Sequence, residues 1–343
     1  MKKLGNTKPA AVITTVVITV ISVLFGISAG SVSIPVSEII SAAGVRLFGQ
    51  PLPEGMSPTT VNIIMDIRTP RVLLAFLTGA ALSASGAVVQ SALRNPLGSP
   101  YTLGVSSGAS LGAALVIASG ASFFGGFTVA AAGLAFAVVT MFITVGFSSK
   151  IDKGFESSTV VLTGMVISLF ANALVNLVAN LSGDKYALIF KWQTGSFSGR
   201  GWTACGILSA VLLICMAVYL RYSRELDLLS FGDEQAASMG IDPAKTRRIL
   251  MIVMSLLTGT SVAFAGVIGF VDLIAPQIVR RIFGAKHSLS IPMSALVGGA
   301  FTVICDIAAR TVTAPSELPA GTVTALIGAP FFAYVFFKRR RRA

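Results

Sequence analysis

Five small or polar residues recur at every fourth position of one long apolar run: Gly164, Ser168, Asn172, Asn176 and Asn180. In a helix, this spacing places them in a stripe that winds partly around the axis. Within a lipid bilayer an asparagine amide must face protein or water, because lipid leaves its hydrogen bonds unsatisfied. The stripe therefore predicts the lining of a solvated passage, with hydrogen bonding between helices as the alternative.

Motifs for covalent chemistry or nucleotide hydrolysis do not occur in the sequence. There is no G-x-x-x-x-G-K-[S/T] phosphate loop, no nucleophile-and-base motif, and no cluster of Cys, His, Asp and Glu with metal-ligand spacing. The one histidine, His287, falls in a predicted loop. Cys205, Cys215 and Cys305 lie unpaired in apolar runs, where we expect packing roles. We therefore expect neither enzymatic activity nor a bound cofactor in this chain.

The stretch 226–241, LDLLSFGDEQAASMGI, has the character of a soluble protein although it lies between apolar runs. It predicts two short helices capped by Asp227 and Asp233, after which Asp242 caps a long apolar helix. The apolar residues of the stretch are too few for a core and would suit a shallow groove on another protein. They are Leu226, Leu229, Phe231, Ala236, Ala237 and Met239. A solvated connecting loop is the alternative.

The composition indicates an integral membrane protein. Of the 343 residues 54% are hydrophobic and 12% are charged, and the mean hydropathy is +0.83. Apolar runs near the ~20 residues that cross a bilayer recur along the whole chain. They predict an all-α, polytopic protein that forms a single domain, 1–343. Its ten transmembrane helices are predicted at 10–29, 72–90, 101–119, 124–147, 160–181, 203–220, 249–269, 273–283, 291–309 and 322–337.

The distribution of charge orients these spans. If both termini are cytoplasmic, the cytoplasmic segments hold 19 of the 26 basic residues and seven of the 14 acidic ones. The whole formal net charge of +12 then lies on that side, as the positive-inside rule expects. The run KRRRR at 338–342 is expected to bind anionic membrane lipid. A basic balance of this origin gives no indication of nucleic-acid binding.

Two spans carry small residues four positions apart, which let helix backbones approach closely in lipid. They are Gly79, Ser83 and Ala87 in the second span and Gly104, Gly108 and Gly112 in the third. Near the outer end of the ninth span, Asp306 and Arg310 can form an ion pair one turn apart. Arg68 and Arg71 lie at the outer mouth of the second span, where arginine can pair with carboxylates of a docking protein or anchor lipid headgroups.

An aromatic and basic cluster follows the fifth span. It comprises Tyr186, Phe190, Lys191, Trp192 and Trp202. Aromatic and basic side chains concentrate where a membrane meets water. The cluster is therefore predicted to be a belt at the outer membrane interface.

Several motifs in family order resemble the permeases of type II ABC importers that move iron-siderophore complexes, haem or cobalamin, the FecCD family. The matching stretches are DIRTPR at 66–71, SGAVVQSALRNPLGSPYTLGVSSGA at 85–109, WQTGS at 192–196, LSFGDEQAASMGI at 229–241, AGVIGFVDLIAPQIVRR at 265–281 and DIAARTVTAPSELPAGTVTALIGAPFF at 306–332. Singly some of these are loose, but jointly they are specific.

The resemblance implies three kinds of protein partner. A second permease subunit, either an identical copy or a paralogue, would complete a central passage. Two copies of an ABC ATPase subunit would bind ATP and grip the coupling loop at Leu229, Phe231, Asp233, Glu234, Ala236, Met239 and Gly240. An extracytoplasmic substrate-binding protein would dock on Arg68, Arg71 and Arg310.

The resemblance also assigns the passage. Ser168, Asn172, Asn176 and Asn180 would line it, and a cytoplasmic gate would involve Asn95, Leu97, Ser157 and Ser158. Two positions depart from the pattern FVGLI-x-PH of many relatives, because Asp272 replaces the glycine and Gln277 the histidine. A carboxylate there could change dimer packing or the outer vestibule, so no site is carried over from that motif.

From these features we expect a permease subunit that imports an iron(III)-siderophore chelate across a bacterial cytoplasmic membrane. Haem and cobalamin are the alternative cargoes. A secondary transporter driven by an ion gradient is the alternative class, because Asp272 and Asp306 could serve as its buried carboxylates.

Overall fold

The computed structural model describes residues 7–30, 32–152 and 156–340. Lys2, Lys3, Lys153, Arg341 and Arg342, which belong to the predicted cytoplasmic charge, lie outside the described residues. The described part is all-helical. Its helices are α1 Thr7–Ser28, α2 Val36–Phe48, α3 Pro58–Asn62, α4 Thr69–Ala92, α5 Val105–Ser119, α6 Thr128–Ile151, α7 Ser157–Leu181, α8 Tyr186–Gln193, α9 Gly201–Arg221, α10 Ser223–Leu229, α11 Asp233–Ser238, α12 Pro243–Ala265, α13 Val271–Phe283, α14 His287–Thr311 and α15 Ala320–Arg340. A π-helical turn, Ile63–Arg68, joins α3 to α4.

Each of the ten predicted spans coincides with a helix, but the lengths differ. Within the described residues, seven helical stretches are long and apolar enough to cross a membrane: Pro9–Ser28, Pro58–Ala92, Gly125–Ile151, Ser157–Leu181, Gly201–Arg221, Pro243–Ala265 and His287–Thr311. The third and eighth spans correspond to α5, with 15 residues, and α13, with 13. At 1.5 Å per residue, these helices fall short of ~30 Å of hydrocarbon. The count of ten spans and the orientation of the termini stay predictions.

Helices α5 and α13 begin deep in the molecule because the segments before them are not helical. Gly266 ends α12 with φ +74°, and a Cβ there would lie 2.4 Å from the Trp192 carbonyl oxygen. The segment 266–270 then meets the turn 93–104, where the Tyr101 hydroxyl contacts the Ile268 carbonyl and accepts from the Ile268 backbone nitrogen at 3.0 Å. Irregular backbone at membrane depth is tolerated where protein satisfies its polar groups.

Helix α4 is almost wholly buried and packs against α9, α12, α13 and α14. A Cβ on Gly79 would lie 2.3 Å from the Gly298 carbonyl oxygen of α14, and one on Gly298 would lie 2.7 Å from that of Gly79. At the crossing of α5 and α6, a Cβ on Gly112 would lie 2.5 Å from the Ala132 carbonyl oxygen. These close approaches confirm that the small residues form packing faces.

The helix bundle has two opposite ends, at which the helices are connected. One, the α10–α11 end, also carries the connections from α6 to α7 and from α13 to α14. The opposite end carries α2, α8 and the connection from α14 to α15. Cys205, Cys215 and Cys305 are free and buried between these ends, as a packing role predicts.

Candidate coupling site and translocation passage

The stretch 226–241 forms two short helices as predicted, but only some of its apolar residues are accessible. Leu226, Leu229 and Ala236 are wholly buried, with α10 lying on α4 and α14. The expectation that all six apolar residues face a partner is therefore wrong for these three, which attach the short helices to the body. Phe231 and Met239 are 68% and 63% exposed, and Ala237 is exposed as well. Glu234 and Gly240 are also exposed.

The sequence suggested that Asp227 and Asp233 cap the two short helices, but neither does. Helix α10 begins at Ser223, so Asp227 lies in its interior, and Asp233 is itself the first residue of α11. The third predicted cap is confirmed, because Asp242 Oδ1 accepts from the Lys245 backbone nitrogen at 3.0 Å. The other two carboxylates bind elements that are distant in sequence.

A buried arginine joins α11 to the end of α4. Arg247, 1% exposed, donates from its two terminal nitrogens to both Asp233 carboxylate oxygens at 2.7 Å each. Its Nε donates at 2.8 Å to the carbonyl of Ala92, in the last turn of α4, where the helix dipole favours a cation. Arg94 Nη2 lies 3.6 Å from the same carboxylate. Removing one partner of such a pair costs about 3–5 kcal/mol, because it leaves a buried charge uncompensated.

Asp227 makes a second connection to α4. His287 is predicted to fall in a loop, but it is the buried first residue of α14. Asp227 Oδ1 accepts from the His287 backbone nitrogen at 3.0 Å and lies 2.5 Å from its Nδ1. His287 Nε2 lies 2.6 Å from Ser91 Oγ, in the last turn of α4. Asp227 thus caps α14 instead of α10, and the α10–α11 pair is fixed to α4 at two points.

The predicted gate residue Asn95 follows these two points directly. Arg94 has φ +46°, and Asn95 Oδ1 accepts from the Leu97 backbone nitrogen at 2.9 Å, which closes a tight turn. The Leu97 side chain projects from that turn and is 46% exposed. Ser157 and Ser158 begin α7. No hydrogen bond among the described residues links the two pairs, so a gate formed by all four stays a prediction.

The stripe on α7 passes from packing to exposure along the helix. Ser168 Oγ donates to the Tyr101 carbonyl at 3.3 Å and is half-buried against the turn 93–104. Asn172, Asn176 and Asn180 are exposed on the surface of the chain. Asn180 Nδ2 donates to the Asn176 carbonyl at 2.8 Å. The exposed amides would contact lipid if this chain were alone, which membrane physics disfavours.

The three arginines predicted to dock a binding protein are hydrogen-bonded within the chain. Arg71 donates to Asp306 Oδ1 at 3.0 and 3.2 Å and to Glu317 Oε1 at 2.7 Å. The predicted pair of Asp306 and Arg310 is present at 3.0 Å, and Arg310 also donates to two carbonyls of α1 and its end. Arg68 donates to three carbonyls around the end of α1. Docking on these residues stays a prediction.

Asp272 is buried within the chain, so it faces neither a second subunit nor an open vestibule. Its carboxylate accepts from Ser99 Oγ, and its carbonyl accepts from Gln90 Nε2 at 3.0 Å. Gln277 Nε2 donates to Gln90 Oε1 at 3.3 Å. Both departures from the motif therefore contact α4 or the turn after it. Among the described residues, no three of His, Cys, Asp and Glu are grouped to hold a metal ion.

Comparison with known proteins agrees with this architecture. The model of the FecCD transport family matches residues 18–338. The uncharacterized ABC transporter permease protein YvrB of Bacillus subtilis is 38% identical over 341 residues, covering 99% of this chain and 96% of YvrB. The cobalamin import system permease protein BtuC of Halobacterium salinarum is 38% identical over 296 residues, covering 86% and 79% of the two chains. Permeases named for import of iron(III)-citrate, iron(III)-hydroxamate, hemin and molybdate match at 32–36% identity.

A solved structure shares the fold over almost the whole chain. It is described as an inward-facing conformation of a metal-chelate type ABC transporter, and it superimposes with a TM-score of 0.84 at 30% identity. The match covers 96% of this chain and 99% of that one. With the family model matching nearly the full length and the relatives covering most of it, the chain belongs to the FecCD transport family.

Proposed function

We propose that this chain is the membrane-embedded permease subunit of an ATP-driven importer for a metal chelate. The observation that carries the proposal is the α10–α11 pair, which is fixed to α4 by Arg247 and His287 and exposes Phe231 and Met239. A rigid helix pair with two exposed apolar side chains suits insertion into a groove on a motor protein. ATP is bound and hydrolysed by that separate ABC ATPase, present in two copies.

A second permease subunit, identical or paralogous, completes the passage. The support is the exposed face of α7, where Asn172, Asn176 and Asn180 point away from their own chain. Pairing of two such faces around water would satisfy the amides and provide a polar route for cargo. The gate at the α10–α11 end would consist of Asn95, Leu97, Ser157 and Ser158, and a substrate-binding protein would dock at the opposite end.

The complex is placed in a bacterial cytoplasmic membrane with the α10–α11 end in the cytosol. For the cargo, we place a ferric siderophore first, because three of the similar relatives are named for iron(III)-citrate or iron(III)-hydroxamate import, against one each for cobalamin and hemin. Cobalamin and haem are the alternatives that the names of other relatives raise. Titrating the cognate binding protein with ferric siderophores, haem and cobalamin separates the three.

The importer itself is tested by reconstitution in liposomes. The chain is co-purified with its ATPase, reconstituted and supplied with binding protein. The liposomes should then take up radiolabelled chelate only when ATP is present on the side of the membrane that the α10–α11 end faces. Uptake by the lone chain under a proton or sodium gradient, with no nucleotide, would instead support the secondary transporter.

A further inference from the structure

The basic residues of the opposite end differ in whether their own chain supplies a partner. Seven are found there: Arg46, Arg68, Arg71, Lys185, Lys191, Arg200 and Arg310. Five are bound by carboxylates or carbonyls of the chain. Within the described part of the chain, the side chains of the remaining two, Lys191 and Arg200, make no hydrogen bond or ion pair with another residue.

These two side chains line the same cavity, which has a volume of about 370 Å³. Lys191 and Trp192 come from α8, while Ser196 and Arg200 come from the segment that leads into α9. Ile117 and Leu188 supply apolar surface, and none of the described residues that line the cavity is acidic. The cavity is within the size range of small-molecule sites.

Two of the residues that line this cavity carry a buried donor that lacks an acceptor. Arg200 Nε and Trp192 Nε1 are inaccessible to solvent and have no hydrogen-bond partner among the described residues. Burial also lowers the pKa of Arg200 from its ordinary value, although arginine stays protonated near neutral pH. A buried donor without an acceptor is costly, and the partly exposed Arg200 guanidinium also lacks a counter-charge among the described residues. Both needs would be met by an acceptor that carries negative charge.

We propose that this cavity binds a small ligand that carries carboxylate groups, and that this ligand is an anionic metal chelate. The proposal rests on the proposed function and narrows its cargo. Helix α8 follows α7 after a single short turn, so the cavity lies beyond the outer end of the asparagine stripe, where an incoming chelate would arrive. The two basic side chains line a concave site of small-molecule size, which favours a small ligand that enters it over a side chain of a docked protein.

Trp192 makes the proposal testable by fluorescence. The chain has two tryptophans, so Trp202→Phe leaves Trp192 as the sole source of tryptophan emission. The full chain in lipid nanodiscs would be titrated with citrate and with gallium(III)-citrate, which does not absorb as iron does. A saturable change in Trp192 emission is expected. Arg200→Gln should weaken the apparent affinity by at least about tenfold, as loss of a charge-assisted hydrogen bond predicts.

Lys191→Gln should have a smaller effect, because Lys191 is exposed and its charge is screened. Arg46→Gln is the matched control, since Arg46 lies at the same end but is paired with Asp66, and it should leave the titration unchanged. Arg200→Lys should recover part of the affinity by restoring charge without the guanidinium geometry.

Three results would overturn the proposal. One is no saturable response up to about 10 mM citrate, an affinity too weak for a specific site. Another is an equal response to a neutral iron-free tris-hydroxamate, which would remove the role of charge. The third is an unchanged citrate titration in Arg200→Gln together with weaker capture of the binding protein, which would assign the cavity to an acidic protein side chain. The titration uses no ATP and no transport, so its failure leaves the importer standing, and failed ATP-driven uptake leaves the cavity standing.

Discussion

Arg247 holds Asp233 by two hydrogen bonds of 2.7 Å and, from the same guanidinium, holds the last turn of α4 through the Ala92 carbonyl. One buried side chain therefore connects the first residue of α11 to the helix that leads into the Asn95 turn. Arg247 itself belongs to α12. Since its contacts are short and those to Asp233 are bidentate, α4, α11 and α12 should move together when α11 is displaced.

We predict that Arg247→Met uncouples ATP hydrolysis from transport. The change keeps bulk but removes the connection between α11 and α4, so ATPase activity should persist in the assembled complex while chelate uptake per ATP falls at least about tenfold. A ratio that stays at the wild-type value would contradict this role. Arg248→Met is the matched control, because Arg248 is the exposed neighbour of Arg247 and should preserve the ratio.

Phe231→Ser should weaken association with the ATPase. Phe231 is 68% exposed and contributes apolar area that a groove would bury, and loss of one such anchor typically weakens binding by about tenfold or more. Biolayer interferometry on the detergent-solubilised chain measures the change. Ile151→Ser, at the same end and 69% exposed, serves as the control and should have no effect. Equal losses in both variants would indicate a general solubility effect.

Glu234→Lys tests the charged part of the same surface. Glu234 is exposed and Asp233 is bound by Arg247, so reversing Glu234 alone probes the partner without breaking the internal connection. The ATPase should dissociate several-fold faster. The effect should be larger at low salt, because high salt screens the interactions of exposed charges. Asp233→Lys should in addition lower the melting temperature, since it leaves Arg247 buried beside a like charge. Identical melting temperatures for the two variants would refute this distinction.

Asn176→Leu should lower chelate uptake several-fold without lowering the melting temperature. The Asn176 side chain is exposed, and the hydrogen bond that it receives from Asn180 ends on its backbone carbonyl, so the substitution removes no contact within the chain. Leu177→Ile, its exposed neighbour on α7, is the control. Unaltered uptake in Asn176→Leu would argue that this face contacts another helix without lining the passage.

Arg310→Gln should destabilise the chain before it affects docking. Arg310 is buried, pairs with Asp306 and donates to the carbonyls of Gly26 and Ala29. Truncating a partner of such a network costs about 3–5 kcal/mol, so the melting temperature should fall by several degrees. Measuring binding-protein affinity alongside it separates the two roles. Lost affinity at an unchanged melting temperature would favour direct docking.

The sequence by itself determined the class of the protein and its local structure. Apolar run length and charge placement are enough to predict an all-helical membrane protein. The small residues four apart, Gly79, Ser83 and Ala87, predict a closely packed face on the second span. The Asp242 cap was also predictable, because its partner is three residues away. Such features depend on spacing within one helix, so no tertiary information is needed.

Only the tertiary structure decided which polar residues are available to partners. Asp233 is predicted to be a cap, yet Arg247 of the following helix takes its carboxylate, and Arg71 is bound by Asp306, 235 positions away. Conversely, the Arg200 side chain has no partner among the described residues, because none of those that line its cavity is acidic. A charge is paired or free according to which distant groups the packing brings within about 4 Å, and that proximity is not encoded in local sequence spacing.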